Sequence, residues 1–326
     1  MRIRDVLYGR SDVKEPVLLE LLRCRDVTRL KRVSQSGMRY LGGVKRATNY
    51  SRFEHSVGVM LLLRRLGASI EEQVAGLLHD SSHTAFSHIV DFVFERKEED
   101  YAGNMLLKYI ESGSVAEILE RHNIDVRRIG EYESRGEFGL LERPIPELCA
   151  DRIDNGLRYM HYAGLGTRSC VRDLDVKNNR IVFLSKKSAR NFAYGFLRGT
   201  EAEWGNAEEG LRAYMLSNAI RRGVKLRIIR YKSLHEEGEP EILRKLRASG
   251  DAKLAGYLKL ARSKPRFRSS TKGSIFIDEK VRYVDPVFVS GGKLIWLMQI
   301  DGTYRNAVLK ENEMLEKGYR LELIGR

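Results

Sequence analysis

The chain reads LLHDSSHTAFSH from Leu77 to His88, a segment that combines three histidines with one aspartate. Imidazole nitrogens and carboxylate oxygens together form a ligand set suited to Mn, Fe, Co, Ni, Zn or Mg. Neighbouring residues on an α-helix diverge by about 100°, so His79 and Asp80 can bind one ion only near the end of a helix. The serines at positions 81 and 82 indicate such an end. The segment therefore predicts part of a metal site at a helix terminus.

Two further ligand candidates lie outside this segment: His55 upstream, and Asp151 in the sequence ADRID of residues 150–154. Both fall in stretches with helical spacing of apolar residues, so the ion would be held inside a bundle by side chains from three helices. A single histidine on an apolar face is usually a hydrogen-bonded core residue, and that interpretation stays open for each one alone. Four of the seven histidines lie between residues 55 and 88, and this concentration favours a metal site.

Length and composition are those of a globular protein. The 326 residues, 42% hydrophobic and 31% charged, suffice for two domains or one large domain with its own core. No apolar run approaches the roughly 18 residues of a membrane-spanning helix, and the charged N-terminus lacks a signal-peptide pattern. The three cysteines are scattered, which fits a reducing compartment. We therefore expect a cytoplasmic protein with no membrane partner.

The net charge of +14 favours an anionic partner such as a nucleotide, a nucleic acid or polyphosphate. A generally basic surface explains the same number, so charge alone assigns no function. The basic run from Arg262 to Arg268 includes Phe267 and could follow a nucleic-acid backbone, or it is a solvated linker. Nucleic acid is therefore a candidate partner.

Apolar periodicity predicts a mainly α-helical fold with a smaller mixed α/β C-terminal part. Helical spacing dominates to about residue 260, with clear helices expected at residues 53–66, at 70–79 and after Pro146. Residues 171–184 predict a hairpin around the turn KNNR, and further strands are expected at residues 274–278, 281–284, 287–289 and 294–300. We divide the chain into a core unit at residues 1–170, a helical extension at 171–260 that completes it, and a small β-rich region at 261–326.

Four segments, whose order along the chain is that of the family, resemble motifs of the HD-domain metal-dependent phosphohydrolases. Residues 51–58, SRFEHSVG, are similar to the arginine–x–x–histidine motif of that family, and residues 77–88 are similar to its histidine–aspartate motif. Residues 150–154 and 29–35 (RLKRVSQ) resemble the distal aspartate motif and the segment before the first histidine in the deoxynucleoside triphosphate triphosphohydrolases. The resemblance covers roughly residues 1–165 and implies an HD-domain helical bundle, with residues 1–170 as the catalytic core.

The resemblance implies that one divalent metal ion is held by His55, His79, Asp80 and Asp151. Such an ion polarises a phosphoryl oxygen and lowers the pKa of a bound water. Arg52 lies one helical turn before His55, so the two side chains share a helix face. Its guanidinium would bind a phosphate bidentately, which a lysine does less well.

The same resemblance suggests proton donors and substrate contacts. His83 would donate a proton to the leaving oxygen, because the ordinary pKa of histidine is near neutrality. His88 would be a second acid or would orient the first, and a purely structural role stays open for both. Other implied substrate contacts, each equally well explained as a surface or packing residue, are Gln35, Asp154, Arg212 and Tyr214.

One departure from the family pattern falls at residues 97–101, KEEDY, where the triphosphohydrolases carry a further catalytic histidine. Glu98 stands at that position. A carboxyl group whose pKa is raised by burial can act as acid or base, so Glu98 is a candidate catalytic residue. The change equally indicates another leaving group, another substrate, or weak activity.

Together these features predict a metal-dependent phosphohydrolase of nucleotides, with a deoxynucleoside triphosphate (dNTP) as substrate and nucleoside plus triphosphate as products. One alternative is a 5′-nucleotidase or phosphodiesterase that uses the same metal. Another is a non-catalytic HD protein that binds nucleotides or nucleic acid. The resemblance also implies a homo-oligomer, a dimer or higher.

Overall fold

The computed structural model of the chain describes residues 1–93 and 101–324, except for the side chains of Tyr101, Ala102 and Asn104. Over these residues the structure is mainly α-helical, with three small sheets. The predicted fold class, a helical bundle with a smaller mixed α/β C-terminal part, is confirmed. No helix in this part of the chain is both long and apolar enough to cross a membrane.

The first half of the chain forms a helical bundle preceded by a hairpin. The hairpin pairs β1 (Arg2–Asp5) with β2 (Gly9–Asp12) in antiparallel register. The helices that follow are α1 (Pro16–Leu21), α2 (Arg25–Thr28), α3 (Arg52–Arg65), α4 (Ile70–Leu78), α5 (Ile89–Val93), α6 (Tyr101–Glu111), α7 (Ser114–Arg121), α8 (Val126–Gly130), α9 (Tyr132–Arg135) and α10 (Ala150–Tyr162). Between α2 and α3 the chain forms short 3-10 helices at Arg29–Arg32 and Arg39–Leu41.

Helix α3 is the central helix of this bundle and packs against α4 and α10. It begins with a capping box, in which the Ser51 side chain accepts from the Glu54 backbone N–H and the Glu54 carboxylate accepts from the Ser51 N–H. Residues 55–63 are all buried, as is typical of a helix surrounded by others. The helix predicted at residues 53–66 is therefore confirmed, as is the one predicted at 70–79, which is α4.

The second half of the chain adds further helices and most of the strands. Its elements are α11 (Arg168–Arg172), β3 (Leu174–Lys177), β4 (Arg180–Phe183), α12 (Lys186–Gly199), a π-helical turn at Thr200–Trp204, α13 (Ala207–Lys225), α14 (Tyr231–Glu236), α15 (Glu239–Arg247), α16 (Ala252–Arg262), β5 (Phe267–Ser269), β6 (Ile275–Ile277), β7 (Val287–Ser290), β8 (Lys293–Trp296), α17 (Leu297–Ile300), α18 (Gly302–Lys317) and β9 (Tyr319–Leu323).

The strands of this half form two sheets, of order β3-β4-β7-β8 and β5-β9-β6. The predicted hairpin is confirmed as β3 and β4, and its turn residues Asn178 and Asn179 have φ of 51° and 56°, as a tight hairpin turn requires. The strand predicted at residues 281–284 is wrong. The carbonyl groups of Arg282 and Val284 there accept hydrogen bonds from side-chain hydroxyls instead of from a neighbouring strand. The strand predicted at 294–300 ends at Trp296, where α17 begins.

Two hydrophobic cores hold the molecule together. The first core lies among α3, α4, α10 and α12, and the second lies among α5, α13, α15 and α16. The segment at residues 79–88 leaves the first core after Leu78 and enters the second at Ala85. The motif that the sequence singled out therefore lies where the two cores meet.

Candidate metal centre

Three helices bring the predicted metal ligands together. His55 lies in α3 one turn from its N-terminus, and Asp151 is the second residue of α10. The predicted helix end is present, because α4 ends at Leu78 and His79 is its C-cap. Since the backbone turns at this point, His79 and Asp80 face one position in space. Ligand atoms of His55, His79 and Asp80 all lie within 4.8 Å of one another.

The ring nitrogens of His55 and His79 point toward each other, with their Nε2 atoms 3.3 Å apart. Nδ1 of His79 donates to the carbonyl of Gly76 at 2.8 Å, and Nδ1 of His55 lies 2.8 Å from Oδ2 of Asp154. A carbonyl or carboxylate oxygen can only accept a hydrogen bond, so each Nδ1 carries a proton and a neutral ring presents its Nε2 lone pair. Oδ1 of Asp151 lies 2.8 Å from Nε2 of His55 and 3.6 Å from Nε2 of His79. Two facing lone pairs beside a carboxylate require a positive charge between them.

A proton can supply the positive charge between the two rings, and the pKa values of His55 and Asp151 are shifted in the direction that favours it. Burial lowers the pKa of His55, but hydrogen bonds to Asp151 and Asp154 outweigh burial and raise it to about 9. Burial likewise raises the pKa of Asp151, but the two histidines outweigh it and hold the pKa well below its ordinary value. The centre therefore stabilises a cation.

The surroundings of Asp80 are a second observation that favours a bound metal ion. Its Oδ1 accepts from Nη1 of Arg52 at 2.7 Å and lies 3.7 Å from Nε2 of His79. Its Oδ2 is buried without a hydrogen-bond partner among the described residues. A buried carboxylate oxygen without a partner is costly, and coordination to a metal ion removes that cost. The residues present thus fit a divalent metal ion, whose identity this mixed nitrogen and oxygen set leaves open.

Arg52 is 1% exposed, and its side chain is held at two of its three nitrogens. Nη1 donates to Asp80 as described, and Nε donates to the hydroxyl of Ser87 at 2.7 Å. Nη2 is buried and has no partner in the part of the chain that the structure describes. A guanidinium fixed in this way beside a metal centre is ready to donate to a phosphate oxygen.

A layer of charges behind His55 fixes its ring. Asp154 is fully buried and accepts from Nδ1 of His55 and from Nε of Arg158 at 2.7 Å. Arg158 in turn donates to Asp5 at 2.7 Å. A Cβ atom at Gly58 would lie 1.9 Å from Nη2 of Arg158 and 2.2 Å from Oδ1 of Asp154, so only glycine leaves room for this layer. Such outer partners orient a metal-binding histidine and raise its basicity.

The centre opens into a cavity of about 270 Å³, which we call the phosphate cavity after the group that we propose it binds. Its lining includes Arg52, His79, Asp80 and Asp151, together with Lys280 from the loop between β6 and β7. A second cavity of about 170 Å³ is lined by Phe92 and Trp204 among others, and we call it the nucleoside cavity after the ligand that we propose for it. The two cavities share Gln35, His88, Asn155 and Arg282. An elongated molecule can therefore occupy both while one part of it contacts the metal centre.

Two of the predicted catalytic residues line the phosphate cavity. Nε2 of His83 lies 3.3 Å from Oδ1 of Asp80, and its ring packs edge-on against that of His88 with the centroids 5.0 Å apart. Burial, followed by the charge of Arg52, holds the pKa of His83 well below its ordinary value. Glu98 lies outside the described residues, and its role stays a prediction.

The predicted substrate contacts fall in different places. Gln35 lines both cavities, and its buried Oε1 has no hydrogen-bond partner in the described ranges. Asp154 lies behind His55 and is occupied by Arg158, an arrangement that supports an orienting role. Arg212 is buried and pairs with Glu208 and Glu209, and Tyr214 packs against the second core. The structure does not bring Arg212 and Tyr214 into the lining of the phosphate cavity.

Sequence reasoning missed several residues of this cavity, among them Glu142, Arg152 and Lys280. Burial raises the pKa of Glu142 to about 7 against the opposing charge of Arg152, with which it pairs. Arg152 had a signal in the sequence, since it follows Asp151 directly. Glu142 and Lys280 had none, because only the tertiary fold brings their loops to the site.

Fold and site together define a metal-dependent phosphohydrolase of the HD-domain class. The family profile described as HD domain matches residues 52–156, the stretch that carries all four predicted ligands. The chain is 37% identical over 262 residues to protein YdhJ of Bacillus subtilis, covering 79% of each chain. The chain belongs to the HD-domain phosphohydrolase superfamily.

Over shorter stretches the chain is similar to relatives with named activities. It is 43% identical over 158 residues to the metal-dependent phosphohydrolase cns2 of Cordyceps militaris, covering 48% of this chain and 44% of the relative. It is 32% identical over 105 residues to the deoxynucleoside triphosphate triphosphohydrolase SAMHD1 of Danio rerio, covering 28% of this chain and 16% of the relative. The chain thus spans less than half the length of both.

One solved structure matches along the whole length. A phosphohydrolase from Bacteroides thetaiotaomicron superposes with a TM-score of 0.65 at 16% identity, covering 100% of both chains. At this identity the match supports the fold.

Proposed function

We propose that this chain hydrolyses nucleotides with the help of one divalent metal ion, releasing nucleoside and triphosphate from a dNTP. One observation carries the proposal: a candidate metal site and a hydrogen-bond donor for phosphate lie side by side. The Nε2 atoms of His55 and His79 face each other, and Nη2 of the neighbouring Arg52 has no partner in the described part of the chain. An ion held by His55, His79, Asp80 and Asp151 would polarise a phosphoryl oxygen and lower the pKa of a water molecule. The SAMHD1 match supports the choice of dNTP over other phosphate esters.

The protein's own residues then have distinct tasks. Arg52 donates to a non-bridging oxygen of the phosphate under attack and stabilises the charge that develops on it. His83, whose Nε2 lies 3.3 Å from Oδ1 of Asp80, would deliver a proton to the leaving 5′ oxygen once the negative charge of a bound phosphate raises its pKa, while His88 packs against its ring. Lys280, which lines the phosphate cavity, neutralises a phosphate beyond the one being attacked.

We place the nucleoside in the nucleoside cavity. Gln35 stands between the two cavities, and a ribose hydroxyl is the kind of donor that its unpartnered Oε1 lacks. The rings of Trp204 and Phe92 offer flat apolar surfaces to a base.

The test is a metal screen, with and without oxygen, against a mixed pool of the four dNTPs, with products separated by chromatography. The control is the double variant His79→Ala/Asp80→Ala, which removes two ligands. Nucleoside plus inorganic triphosphate, absent in the variant, would support the proposal. Orthophosphate or a monophosphate would assign the same centre to a nucleotidase or phosphodiesterase. No turnover with any metal, in protein shown to contain metal, would leave a nucleotide-binding HD protein.

A further inference from the structure

Glu239 is a fully buried carboxyl group that joins the second core to the metal centre. It is the first residue of α15, and its Oε1 accepts from the backbone N–H of Ser34 at 2.6 Å and from the Ser34 hydroxyl at 2.9 Å. Its Oε2 lies 2.9 Å from the same hydroxyl. The Glu239 side chain thus fixes the backbone N–H and the hydroxyl of Ser34, the residue directly before Gln35.

Ser34 passes this constraint on to Arg52. The hydroxyl of Ser87 donates to the Ser34 carbonyl at 2.7 Å and accepts from Nε of Arg52 at 2.7 Å. Arg52 then donates to Asp80 at 2.7 Å. An unbroken series of hydrogen bonds, which we call the Glu239 relay, runs from α15 through Ser34 and Ser87 to the guanidinium at the centre.

The backbone at Ser87 is strained in a way that serves this relay. Phe86 and Ser87 have φ of 70° and 50°, a conformation that residues other than glycine rarely adopt. The turn is held from outside, since Ala85 donates its N–H to the carbonyl of Leu234 at 2.8 Å. A Cβ atom at Gly37 would lie 2.3 Å from the carbonyl oxygen of Phe86, so the loop after Ser34 presses against the same turn. Strain of this kind persists where it places a functional group, here the Ser87 hydroxyl.

We propose that Glu239 is a positioning residue, which acts through Ser34 and Ser87 to hold the guanidinium of Arg52 in the orientation that binds a substrate phosphate. The inference rests on the proposed function, because it requires Arg52 to bind phosphate. Glu239 is not among the residues that line the phosphate cavity. Its removal should therefore weaken phosphate binding and leave the metal ligands in place.

The experiment compares Glu239→Ala with Arg52→Ala, with the double variant, and with Glu311→Ala as a control. Glu311 is also a buried glutamate, but it lies in α18 and outside the relay. Three quantities are measured on each purified full-length chain: kcat and KM for a dNTP, the Kd for inorganic triphosphate by calorimetry, and the metal bound per chain. The variant Glu239→Gln keeps the size of the side chain and one carbonyl acceptor.

We expect Glu239→Ala to raise KM and the Kd for triphosphate between about 10- and 100-fold, the cost typical of a misplaced binding group, with bound metal unchanged. Glu239→Gln should lie between the wild type and Glu239→Ala, and Glu311→Ala should resemble the wild type. Because Glu239 acts through Arg52, adding Glu239→Ala to Arg52→Ala should weaken triphosphate binding no further.

Two results would overturn the inference while the proposed function stands: an active Glu239→Ala variant with unchanged triphosphate binding, or additive effects of the two substitutions. Loss of bound metal in Glu239→Ala would also overturn it, since the residue would then support the whole centre. A wild-type protein that neither hydrolyses dNTPs nor binds triphosphate would overturn the proposed function and this inference with it.

Discussion

Nδ1 of His55 lies 2.8 Å from Oδ2 of Asp154, and both side chains are fully buried. The carboxylate fixes which ring nitrogen carries the proton, and so leaves Nε2 of His55 for the metal centre. Asp154 is in turn held by Arg158, which also binds Asp5 near the N-terminus. The orientation of His55, a proposed metal ligand, therefore depends on residues from the first strand and from α10.

Asp154→Asn should weaken metal binding by about 10- to 100-fold. An amide at this position can present its NH₂ group to Nδ1 and so favour the wrong tautomer of His55. Metal affinity is measured by competition with a chelating dye. Asp301→Asn is the matched control, because Asp301 is a buried aspartate paired with Arg190 and is distant from the centre in sequence and fold. Equal affinities of Asp154→Asn and the wild type would contradict the role given to Asp154.

Gly58→Ala should destabilise the protein by about 1–3 kcal/mol, since the added methyl group overlaps Arg158 and Asp154 in a filled site. It should also lower metal affinity, because Asp154 must move. Gly256→Ala, in α16 with open space around the new methyl group, should stabilise the protein by about 0.5–1 kcal/mol. Urea unfolding of both variants measures the two effects. An unchanged free energy of unfolding in Gly58→Ala would show that the layer behind His55 is not tightly packed.

Arg52→Lys should lower kcat/KM by about 10- to 100-fold, because one ammonium group cannot contact Asp80, Ser87 and a phosphate in the fixed geometry of a guanidinium. Steady-state kinetics with the preferred dNTP is the measurement. The same substitution at Arg198, which is exposed on α12, should change nothing. A fully active Arg52→Lys protein would limit the role of Arg52 to charge alone.

Glu239 predicts a pH dependence of stability. Burial raises the pKa of its carboxyl group from 4.5 to about 7, despite hydrogen bonds from Ser34 and the nearby charge of Arg52. Between these two values the folded protein binds more protons than the unfolded chain, so this group's contribution to stability falls as pH rises from about 4.5 to 7. The change amounts to at most about 3 kcal/mol.

Glu239→Gln removes this titration. The free energy of unfolding of the variant, relative to the wild type, should therefore increase between pH 5 and pH 8. Urea unfolding at several pH values measures it for both proteins. Parallel pH profiles would show that the carboxyl group keeps an ordinary pKa in the folded state.

The part of the site that the sequence could predict is the part carried by local patterns. His79 and Asp80 could be placed because the serines after them signal the end of a helix, and Asp151 because it opens a strongly periodic helix. Local residue types and spacing also predicted a divalent ion, the helical bundle and the hairpin at residues 171–184. Each depends on residues close together in the chain.

The rest depends on contacts between distant segments. Glu142, Lys280 and Glu239 reach the site from loops and helices whose positions only the packing of the two cores determines. Asp154 was predicted to contact substrate, yet it lies on the far side of His55, because the helix that presents Asp151 to the centre turns residue 154 inward. The strand predicted at residues 281–284 failed for a related reason, since side chains of other elements occupy its carbonyl groups.

The most direct test of the central claim is hydrolysis of a dNTP in ¹⁸O-labelled water with the metal that supports turnover, followed by mass analysis of the products. Attack on the phosphorus next to the nucleoside predicts one ¹⁸O atom in inorganic triphosphate, unlabelled nucleoside, and no product from His79→Ala/Asp80→Ala. Label in orthophosphate or in a nucleotide product, or turnover that survives the double substitution, would contradict the account.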